Sequence, residues 1–379
     1  MLGIYVHIPF CLKKCDYCDF FSVPCSRDEI PQKEYLQAIS RQLQEDVCRL
    51  KLSGKKVSTV YFGGGTPSLL KPIFFKSIID ALAHHFVLSD EIEVSCEVNP
   101  ATVDDRWFGD ARECGVTRAS IGVQSFHDRL LRELGRVHSS EDAMRAIAEA
   151  QDAGFRSINC DLMFGIPSET MADLEEDIRT AMTFQPEHVS AYQLTVEKGT
   201  PLAARLKDDL MQSEEDSLNQ MRTTARMLTR SGWNRYEISN FAKAGFECRH
   251  NLNYWRYGEY LGLGAWATSF VLSTHGFAKR FTQTRDVKKY MEGGAEHAES
   301  EEISLRTAMA EFCFLGLRTT EGISLKTFEE IFKTKFDDMF GNIQDELIQN
   351  GLAEKNDRGL ALTQRGIEVS NLVFEKFLP

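Results

Sequence analysis

The sequence predicts an α/β fold in which parallel strands alternate with helices. Short runs rich in β-branched and apolar residues recur in the first half of the chain, and segments with helical periodicity separate them. The runs are residues 3–8, 57–62, 91–97, 118–122, 157–164 and 188–194. Strands that alternate with helices form βαβ units, which place successive strands parallel. Six units suit either a partial (β/α) barrel or an open doubly wound sheet, and periodicity alone does not separate the two.

The composition is that of a globular protein in a reducing compartment. The 379 residues exceed one typical domain, 42% of them are hydrophobic and 26% are charged. Ten cysteines would be an odd surplus for a secreted scaffold, and no signal-peptide pattern precedes the first strand, so we expect a cytosolic protein. No apolar run reaches the roughly 18 residues of a membrane span, so any membrane contact should be peripheral. The net charge of −12 argues against nucleic acid as a partner.

An amphipathic helix is predicted after the first strand. Beyond Pro31, which suits a first helical turn, apolar side chains recur at steps of three and four residues. These side chains are Leu36, Ile39, Leu43, Val47 and Leu50. They form one apolar face, which we expect to pack against the sheet.

Residues suited to chemistry follow the predicted strands. A cysteine cluster follows the first strand and GGGTPS the second, Glu97 ends the third, Gln124 follows the fourth, and Asp161 lies within the fifth. Ligands of parallel α/β folds gather at the carboxyl ends of the strands. Chance would scatter these signals over both rims, so we predict a single active site at this rim.

The chain beyond residue 200 is predicted to hold an extension and a further domain. Residues 292–302, EGGAEHAESEE, are acidic and contain glycine, which indicates a linker. After them, helices precede two short β runs around a polar turn, a pattern typical of a winged helix. We therefore expect a barrel domain in 1–200, a barrel extension with the linker in 201–302, and a winged-helix-like domain in 303–379.

Cys11, Cys15 and Cys18 are separated by spacings of four and three residues. A structural zinc ion would need four ligands, and neither Cys25 nor His7 lies at a zinc-like spacing. A disulfide is disfavoured in a reducing compartment. Three close thiolates can instead bind three irons of a [4Fe–4S] cluster and leave the fourth iron open for chemistry.

The stretch CLKKCDYC resembles the CxxxCxxC signature of radical S-adenosylmethionine (SAM) enzymes. Further stretches resemble, in order along the chain, the oxygen-independent coproporphyrinogen III oxidase family. They are VYFGGGTPSLL, EVNP, SIGVQSF, LGRVH, DLMFGIP, YQLTVEKGTPL and RYEISNFAKAGFECRHNLNYW. The resemblance extends from Tyr5 to about Ser269. It implies a partial (β/α)6 TIM-type barrel of the radical SAM kind, followed by the winged-helix-like domain.

The resemblance also implies a SAM site. The matching positions are Tyr5, Tyr17, Gly64, Gly65, Thr66, Glu97, Gln124, Arg136 and Asp161. The glycine-rich turn would let the backbone approach the methionine end of SAM, which would chelate the open iron. An electron from the reduced cluster would then split SAM into methionine and a 5′-deoxyadenosyl radical.

The side chains of this site would have different roles by the same resemblance. Glu97 and Arg136 would offer opposite charges to SAM, Gln124 and Asp161 would bind its polar edge, and Tyr17 would lie against adenine. The polar residues would also suit buried positions at strand ends. Tyr5 and Tyr17 could equally have only a packing role in the protein interior.

Two features resemble the haem-chaperone branch of the family, whose members bind haem and pass it to respiratory haem proteins. The oxidases show CxxxCxxCxC, but Phe20 stands here in place of their fourth cysteine, and Cys25 is interpreted as an ordinary thiol. The stretch HNLNYW also matches the chaperones. It implies His250 as a haem ligand, with Tyr254 and Trp255 against the macrocycle. A His-Asn pair can equally cap a turn, and a Tyr-Trp pair can simply pack.

The sequence departs from the family pattern at two places. The family usually reads GAGAHS where this chain has Trp266 and Thr268, so a family histidine is missing, and ligation of haem would move to His250, Cys248 or His7. In the second place GLPGQT is replaced by GIPSET, a milder change.

The resemblance implies a radical SAM-type haem chaperone that binds a [4Fe–4S] cluster, SAM and haem. Its partners would be recipient haem proteins such as respiratory enzymes, and a haem donor protein. The alternative is an oxygen-independent coproporphyrinogen III oxidase, and whether SAM is cleaved stays open. A third hypothesis, a DNA-reading C-terminal domain, is opposed by 12 acidic against 9 basic side chains in 303–379. A lid or docking module suits that domain better.

Overall fold

A computed structural model describes residues 1–206, 213–273, 277–293 and 297–378. The strands are β1 (Leu2–Ile8), β2 (Phe10–Cys11), β3 (Val23–Pro24), β4 (Lys56–Gly64), β5 (Val87–Val98), β6 (Arg118–Gln124), β7 (Ser157–Phe164), β8 (His188–Gln193), β9 (Asn234–Arg235), β10 (Asn240–Ala242), β11 (Tyr260–Leu263), β12 (Thr268–Leu272), β13 (Ala278–Gln283), β14 (His297–Ile303), β15 (Ile323–Ser324), β16 (Ala353–Lys355) and β17 (Gly359–Leu362).

The α-helices are α1 (Gln32–Arg49), α2 (Ile73–His85), α3 (Trp107–Glu113), α4 (Asp128–Glu133), α5 (Ser140–Asp152), α6 (Met171–Thr183), α7 (Pro201–Arg205), α8 (Glu214–Arg230), α9 (Arg249–Trp255), α10 (Val287–Gly293), α11 (Leu305–Gly316), α12 (Leu325–Phe332), α13 (Phe336–Gln349), α14 (Gln364–Glu368) and α15 (Ser370–Glu375). None of these helices has the length and apolarity to cross a membrane.

One mixed sheet contains twelve strands in the order β14-β13-β12-β11-β1-β4-β5-β6-β7-β8-β10-β9. At its centre β1, β4, β5, β6, β7 and β8 lie side by side in chain order, and each pairs in parallel with the next. A doubly wound sheet would reverse its strand order at a switch point, so this order is that of a (β/α)6 barrel. No ladder among the described residues joins β14 to β9, which leaves the barrel partial, as predicted.

The central strands have one apolar face and one polar face. On β1, Ile4 and Val6 belong to the main hydrophobic core together with Ile39 of α1. The alternate residues, Tyr5 and His7, make hydrogen bonds and ring contacts instead. Because successive side chains of a strand point to opposite faces, the apolar face lies under the helices and the polar face lines the interior.

The sheet continues beyond β1 through the extension. Strand β11 pairs in parallel with β1, and β12, β13 and β14 follow as an antiparallel meander. The linker prediction is therefore wrong for residues 297–302, which belong to β14, while residues 294–296 lie outside the described residues. Glu299 and Glu301 are exposed on this edge strand. Their charges interrupt the alternation of apolar and polar residues by which a strand is predicted. Charged side chains on an edge strand also discourage pairing with another molecule.

The C-terminal residues form the predicted winged-helix-like domain. Its order is α11, β15, α12, α13, β16, β17, α14 and α15, and its three strands pair as β15-β17-β16. Its core is centred on phenylalanines of α11, α12 and α13, and it includes Phe270, Ala278 and Ile303 from strands β12, β13 and β14 of the large sheet. The domain therefore shares its core with the end of the large sheet.

Phe328→Ala is expected to lower the free energy of unfolding by about 3–5 kcal/mol. The ring is fully buried and contacts Phe312, Phe332 and Phe336, so its removal leaves a cavity. Urea unfolding measures the change. Leu372→Ala is the control, because that side chain is 61% exposed and should cost little. Equal effects of the two substitutions would contradict this account of the core.

Candidate functional site

The central strands surround a cavity of about 340 Å³, here called the thiol cavity. It is lined by the cysteine loop, the glycine-rich turn after β4, and polar residues near the ends of β5, β6 and β7. The lining includes Cys11, Cys15, Tyr17, Cys18, Gly64, Gly65, Thr66, Glu97, Gln124, Arg136 and Asp161. The predicted convergence of the strand-end signals on one rim is confirmed. Of the residues proposed for SAM, Tyr5 is not part of this lining.

The cysteine loop is tied to the body of the protein at several points. Strands β2 and β3 pair in parallel and close the loop, and the Cys25 N–H donates to the Cys11 carbonyl at 2.7 Å. Further along, the Asp16 N–H donates to the Leu134 carbonyl (3.0 Å), and the Asp16 carbonyl accepts from the Leu202 N–H (2.8 Å). The loop therefore holds its thiols in place through backbone hydrogen bonds.

The three thiols suit a polynuclear cluster. The Cys11 Sγ lies 3.2 Å from the Thr66 Oγ1, and Arg136 Nη1 lies 3.5 Å from the Cys15 Sγ, where its charge favours thiolate. Burial raises the pKa of Cys11, and raises that of Cys18 to about 11. A cationic centre would offset this cost of forming thiolates.

No three His, Cys, Asp or Glu side chains in the described ranges come close enough to hold one metal ion. In a [4Fe–4S] cluster each thiolate binds a different iron, so the sulfurs need not converge on one point. The donor set, the open cavity beside it and the neighbouring Arg136 therefore fit the cluster.

The glycine-rich turn is constrained by the chain behind it. Gly64 has a φ of +113°, and a Cβ there would lie 2.5 Å from the His7 ring. A Cβ at Gly65 would lie 2.8 Å from the carbonyl oxygens of Ile8 and Phe10. The Gly64 N–H donates to Glu97, and the Gly65 N–H donates to Ile8. Close packing against β1 therefore requires both glycines, and their N–H groups are not available to a ligand.

Two carboxyl groups make the cavity wall attractive to a cation. Glu97 accepts hydrogen bonds from the Tyr61 hydroxyl and the Gly64 N–H, both at 3.0 Å. Burial, and then the charge of Asp161, raise the pKa of Glu97 to about 7. Asp161 accepts from Asn159 at 2.7 Å, and burial raises its pKa as well. A positively charged ligand would relieve this cost of two buried carboxylates.

Arg136 is oriented by a histidine that the sequence analysis did not select. Its Nη2 donates to the Gly122 carbonyl at 2.8 Å, and its Nε donates to the His138 Nδ1 at 3.3 Å. The His138 Nε2 then donates to the Val123 carbonyl at 3.0 Å. Burial and Arg136 lower the pKa of His138 to about 3, so it stays a neutral acceptor. The quoted stretch LGRVH contains both residues, and their spacing of two was the available signal.

Gln124 reaches the cavity through an irregular backbone. It has a φ of +66°, and the register between β6 and β7 shifts between Gly122 and Gln124. A non-glycine residue in the left-handed region costs energy and often marks a functional position.

A second cavity of about 610 Å³, here called the aromatic cavity, lies beside the first. It is bounded by β1 and β11–β13, by α9 and by α11. Its lining is Tyr5, Tyr254, Trp255, Tyr257, Gly258, Tyr260, Thr268, Phe270, Arg280, Glu311, Phe314 and Leu315. Tyr5 belongs here, and its ring lies 6.3 Å from the ring of Tyr61, which lines the thiol cavity. The Tyr5–Tyr61 pair thus lies between the two cavities.

His250 does not line the thiol cavity or the aromatic cavity, and its role as a haem ligand stays a prediction. The residue is fully buried, its Nδ1 lies 2.9 Å from the Thr59 Oγ1, and its Nε2 lies 2.8 Å from the Tyr254 hydroxyl. Its ring stacks on Tyr61, and burial lowers its pKa to about 3. Both ring nitrogens are occupied, and no face of the ring is open.

The two other candidate ligands are occupied as well. The His7 Nε2 donates to the Phe21 carbonyl at 3.0 Å, so its Nδ1 accepts from the Tyr5 hydroxyl at 3.0 Å. Cys248 is buried, its thiol donates to Glu93 at 3.7 Å, and burial raises its pKa to about 12. Of the residues singled out in the HNLNYW motif, Tyr254 and Trp255 are the two that line a cavity.

The departures from the family pattern have clear structural positions. Trp266 has a φ of +65°, a conformation that glycine adopts easily, and the family pattern GAGAHS has a glycine at this position. The Trp266 ring packs near Phe21 and the guanidinium of Arg285. Thr268 lines the aromatic cavity. Glu169, of GIPSET, is buried and accepts from the Gly165 N–H at 2.8 Å, so this change acts inside the protein.

Comparisons with known proteins identify the family of this chain. A family model described as the Radical SAM superfamily matches residues 5–181, and the HemN C-terminal domain model matches residues 303–369. The chain is 34% identical to the heme chaperone HemW of Haemophilus influenzae, over 100% of this chain and 98% of that protein. It is also 34% identical to the heme chaperone HemW of Bacillus subtilis, over 100% and 99%. For that of Escherichia coli the identity is 38%, over 77% and 76%.

A solved structure is also similar. Coproporphyrinogen III oxidase (HemN) from Escherichia coli, described as a radical SAM enzyme, superposes with a TM-score of 0.84. The alignment covers 99% of this chain and 89% of that chain, at 22% identity. This likeness shows the fold.

Replacement of Cys11, Cys15 and Cys18 by alanine is expected to abolish the binding of about four irons per chain after anaerobic reconstitution. Iron and sulfide analysis measures the loss. The control is Cys25→Ala, because its thiol lies outside the thiol cavity and donates to the Ser26 carbonyl. A triple variant that retained the cluster would overturn this assignment.

His250→Ala is expected to lower the free energy of unfolding by about 2–4 kcal/mol, because it leaves a cavity and removes a partner from Thr59 and Tyr254. The iron content should stay unchanged. Urea unfolding and iron analysis test both statements, and Asn251→Ala is the matched control. A stable variant with altered ligation of haem iron would establish His250 as a ligand.

Proposed function

We propose that this chain, which belongs to the HemW family of haem chaperones in the radical SAM superfamily, binds a [4Fe–4S] cluster, SAM and haem and delivers haem to haem proteins. The observation that carries the proposal is the identity of 34% to heme chaperones along the entire chain, combined with the thiols and polar strand ends in one cavity.

The residues that would hold the cluster are Cys11, Cys15 and Cys18. Arg136 lies beside Cys15 and would favour its thiolate. Thr66 would donate to the sulfur of Cys11, in keeping with their separation of 3.2 Å. When bound, the cluster supplies an electron-transfer centre with one iron open to SAM.

The residues that would hold SAM share the same cavity. Glu97 and Asp161 would bind its positive methionine end, since both carboxyls carry a cost of burial that a cation relieves. Gln124 and Arg136 would bind its polar groups, and Tyr17 would lie along its base. The glycine-rich turn would act through its shape, because the N–H groups of Gly64 and Gly65 are already bonded.

The position of Phe20 favours a chaperone over an oxidase. Phe20 stands where the oxidase pattern has its fourth cysteine, lines the mouth of the thiol cavity, and is 70% exposed. The Cys25 thiol does not replace that cysteine, because it lies outside the lining. An exposed phenylalanine beside the cofactors also suits contact with a partner protein.

The partners and the location follow from the same proposal. The recipients would be haem proteins such as respiratory enzymes, and haem would come from a donor protein. The chain would act in the cytoplasm, with peripheral contact to a membrane where its recipients are membrane-bound.

The reconstituted protein is expected to bind haem and transfer it to an apo-haem protein, without decarboxylating coproporphyrinogen III in the presence of SAM and reductant. Absorbance spectra follow the transfer, and chromatography of the porphyrins measures decarboxylation. Phe20→Cys should not create the oxidase activity, because a single thiol does not rebuild a porphyrinogen site. Protoporphyrinogen at multiple turnovers by the wild type would instead establish the oxidase.

A further inference from the structure

We propose that Tyr236, His188 and Asn159 form a hydrogen-bonded relay that positions Asp161 for the positive end of SAM. The inference rests on the proposed function and adds residues that act on the SAM site without touching SAM. The three relay residues are buried, and none of them lines the thiol cavity, whereas Asp161 does. Tyr236 belongs to the stretch RYEISNFA, to which the cluster and SAM assign no role.

The relay is part of a polar layer inside the barrel. Ser120 on β6, Asn159 on β7 and His188 on β8 are register partners on adjacent parallel strands, so their side chains lie side by side. The interior of such a barrel is usually filled by branched apolar side chains. Buried polar groups cost free energy unless they are hydrogen-bonded. A polar layer at this level therefore indicates a functional constraint rather than packing alone.

The hydrogen bonds of this layer run toward Asp161. The Asn159 amide nitrogen donates to Asp161 Oδ1 at 2.7 Å, which leaves the amide oxygen as an acceptor. The His188 Nδ1 donates to that oxygen at 2.6 Å, so Nε2 is the acceptor of the neutral ring. The Tyr236 hydroxyl donates to Nε2 at 2.8 Å and accepts from the Cys248 N–H at 3.3 Å.

Each step of the relay fixes the orientation of the next group. Burial lowers the pKa of His188, so its ring stays neutral with one donor and one acceptor. A flipped Asn159 amide would turn its oxygen toward Asp161 and its nitrogen toward the His188 N–H, and both hydrogen bonds would be lost. Aligned hydrogen bonds also polarise one another, which strengthens the chain. The relay thus holds the Asn159 donor on Asp161.

The donors orient Asp161 without neutralising it. They are uncharged groups, the Asn159 amide and the Ser120 hydroxyl, which lies 3.3 Å from Oδ2. The carboxylate can therefore offer its full charge to a cationic group of the ligand. An oriented carboxylate also loses less freedom when the ligand binds, and this raises affinity.

The basic side chains of the thiol cavity lie with the thiols. Lys13 and Lys14 belong to the cysteine loop, and Arg136 Nη1 lies 3.5 Å from the Cys15 Sγ. Thiolates would match their charge there. Asp161 belongs instead to β7, so the positive end of SAM has a separate anionic partner.

The test compares the binding of two ligands. SAM carries the positive methionine end, while 5′-methylthioadenosine has the same base and sugar without that end. The full-length, cluster-reconstituted protein is titrated with each ligand in the absence of reductant, so SAM stays intact. The ratio of the two affinities separates the contribution of the positive end from changes elsewhere in the site.

His188→Leu removes the centre of the relay and should lower this ratio about tenfold. His188→Asn should largely restore it, because the shorter amide can still donate to Asn159 from the place of Nδ1. Tyr236→Phe should lower the ratio about threefold, since it removes one hydroxyl. Its matched control is Tyr290→Phe, which removes a buried hydroxyl that donates to Gln42 at 2.7 Å, away from the thiol cavity.

A double substitution shows whether His188 acts through Asp161. Asp161→Asn should lower the ratio at least as far as His188→Leu does. The combined variant should be no worse than Asp161→Asn alone, because the relay then has no charge to position. Effects that multiply would contradict the relay. Iron content and urea unfolding show whether each variant is folded and retains its cluster.

The outcomes separate the relay from the function on which it rests. A wild type that binds no SAM would overturn the SAM site of the proposed function. Binding of SAM by the wild type, with an unchanged ratio in folded His188→Leu and Tyr236→Phe, would overturn the relay alone. If His188→Leu fails to fold, the comparison of Tyr236→Phe with Tyr290→Phe decides.

Discussion

Both cavities depend on the contact between the buried carboxylate of Glu93, on β5, and the first residues of α9. The two carboxylate oxygens accept from the backbone N–H groups of Arg249 and His250, each at 3.0 Å. Unpaired N–H groups at the start of a helix attract an anion, and a buried carboxylate requires such donors. This contact fixes α9 inside the barrel. The helix then places His250 against Tyr61 below the thiol cavity and carries Tyr254 and Trp255 to the wall of the aromatic cavity.

The arrangement gives the protein two neighbouring sites of different chemistry. The thiol cavity is small and polar, while the aromatic cavity is larger and mostly apolar. Tyr5 and Tyr61 lie between them, and Tyr61 also donates to Glu97. A displacement of Tyr5 would therefore change the packing of Tyr61 and the hydrogen bond from Tyr61 to Glu97.

The aromatic cavity lies where the sheet extension meets the winged-helix-like domain. The side of the cavity formed by α11 belongs to the winged-helix-like domain, whose core is shared with the sheet extension.

Much of the fold could be predicted from the sequence, because its signals are local. Short runs rich in β-branched and apolar residues predicted the six central strands, and the spacing of Cys11, Cys15 and Cys18 placed three thiols in one loop. Since the carboxyl ends of parallel strands meet at one rim, even the convergence on the thiol cavity followed. The order of the strands did not follow from periodicity, since a partial barrel and a doubly wound sheet repeat the same local pattern.

Tertiary structure alone decided which motif residues are free to bind a ligand. The HNLNYW motif suggests His250 as a ligand. In the structure Thr59, which lies far away in the sequence, is hydrogen-bonded to one ring nitrogen of His250, and Tyr254 is hydrogen-bonded to the other. The exposed acidic strand β14 was likewise mistaken for a linker, because its pairing partner β13 is what makes it a strand. A sequence pattern shows which donors and acceptors a chain possesses. Whether their lone pairs and protons remain available depends on long-range partners, and those are set by the fold.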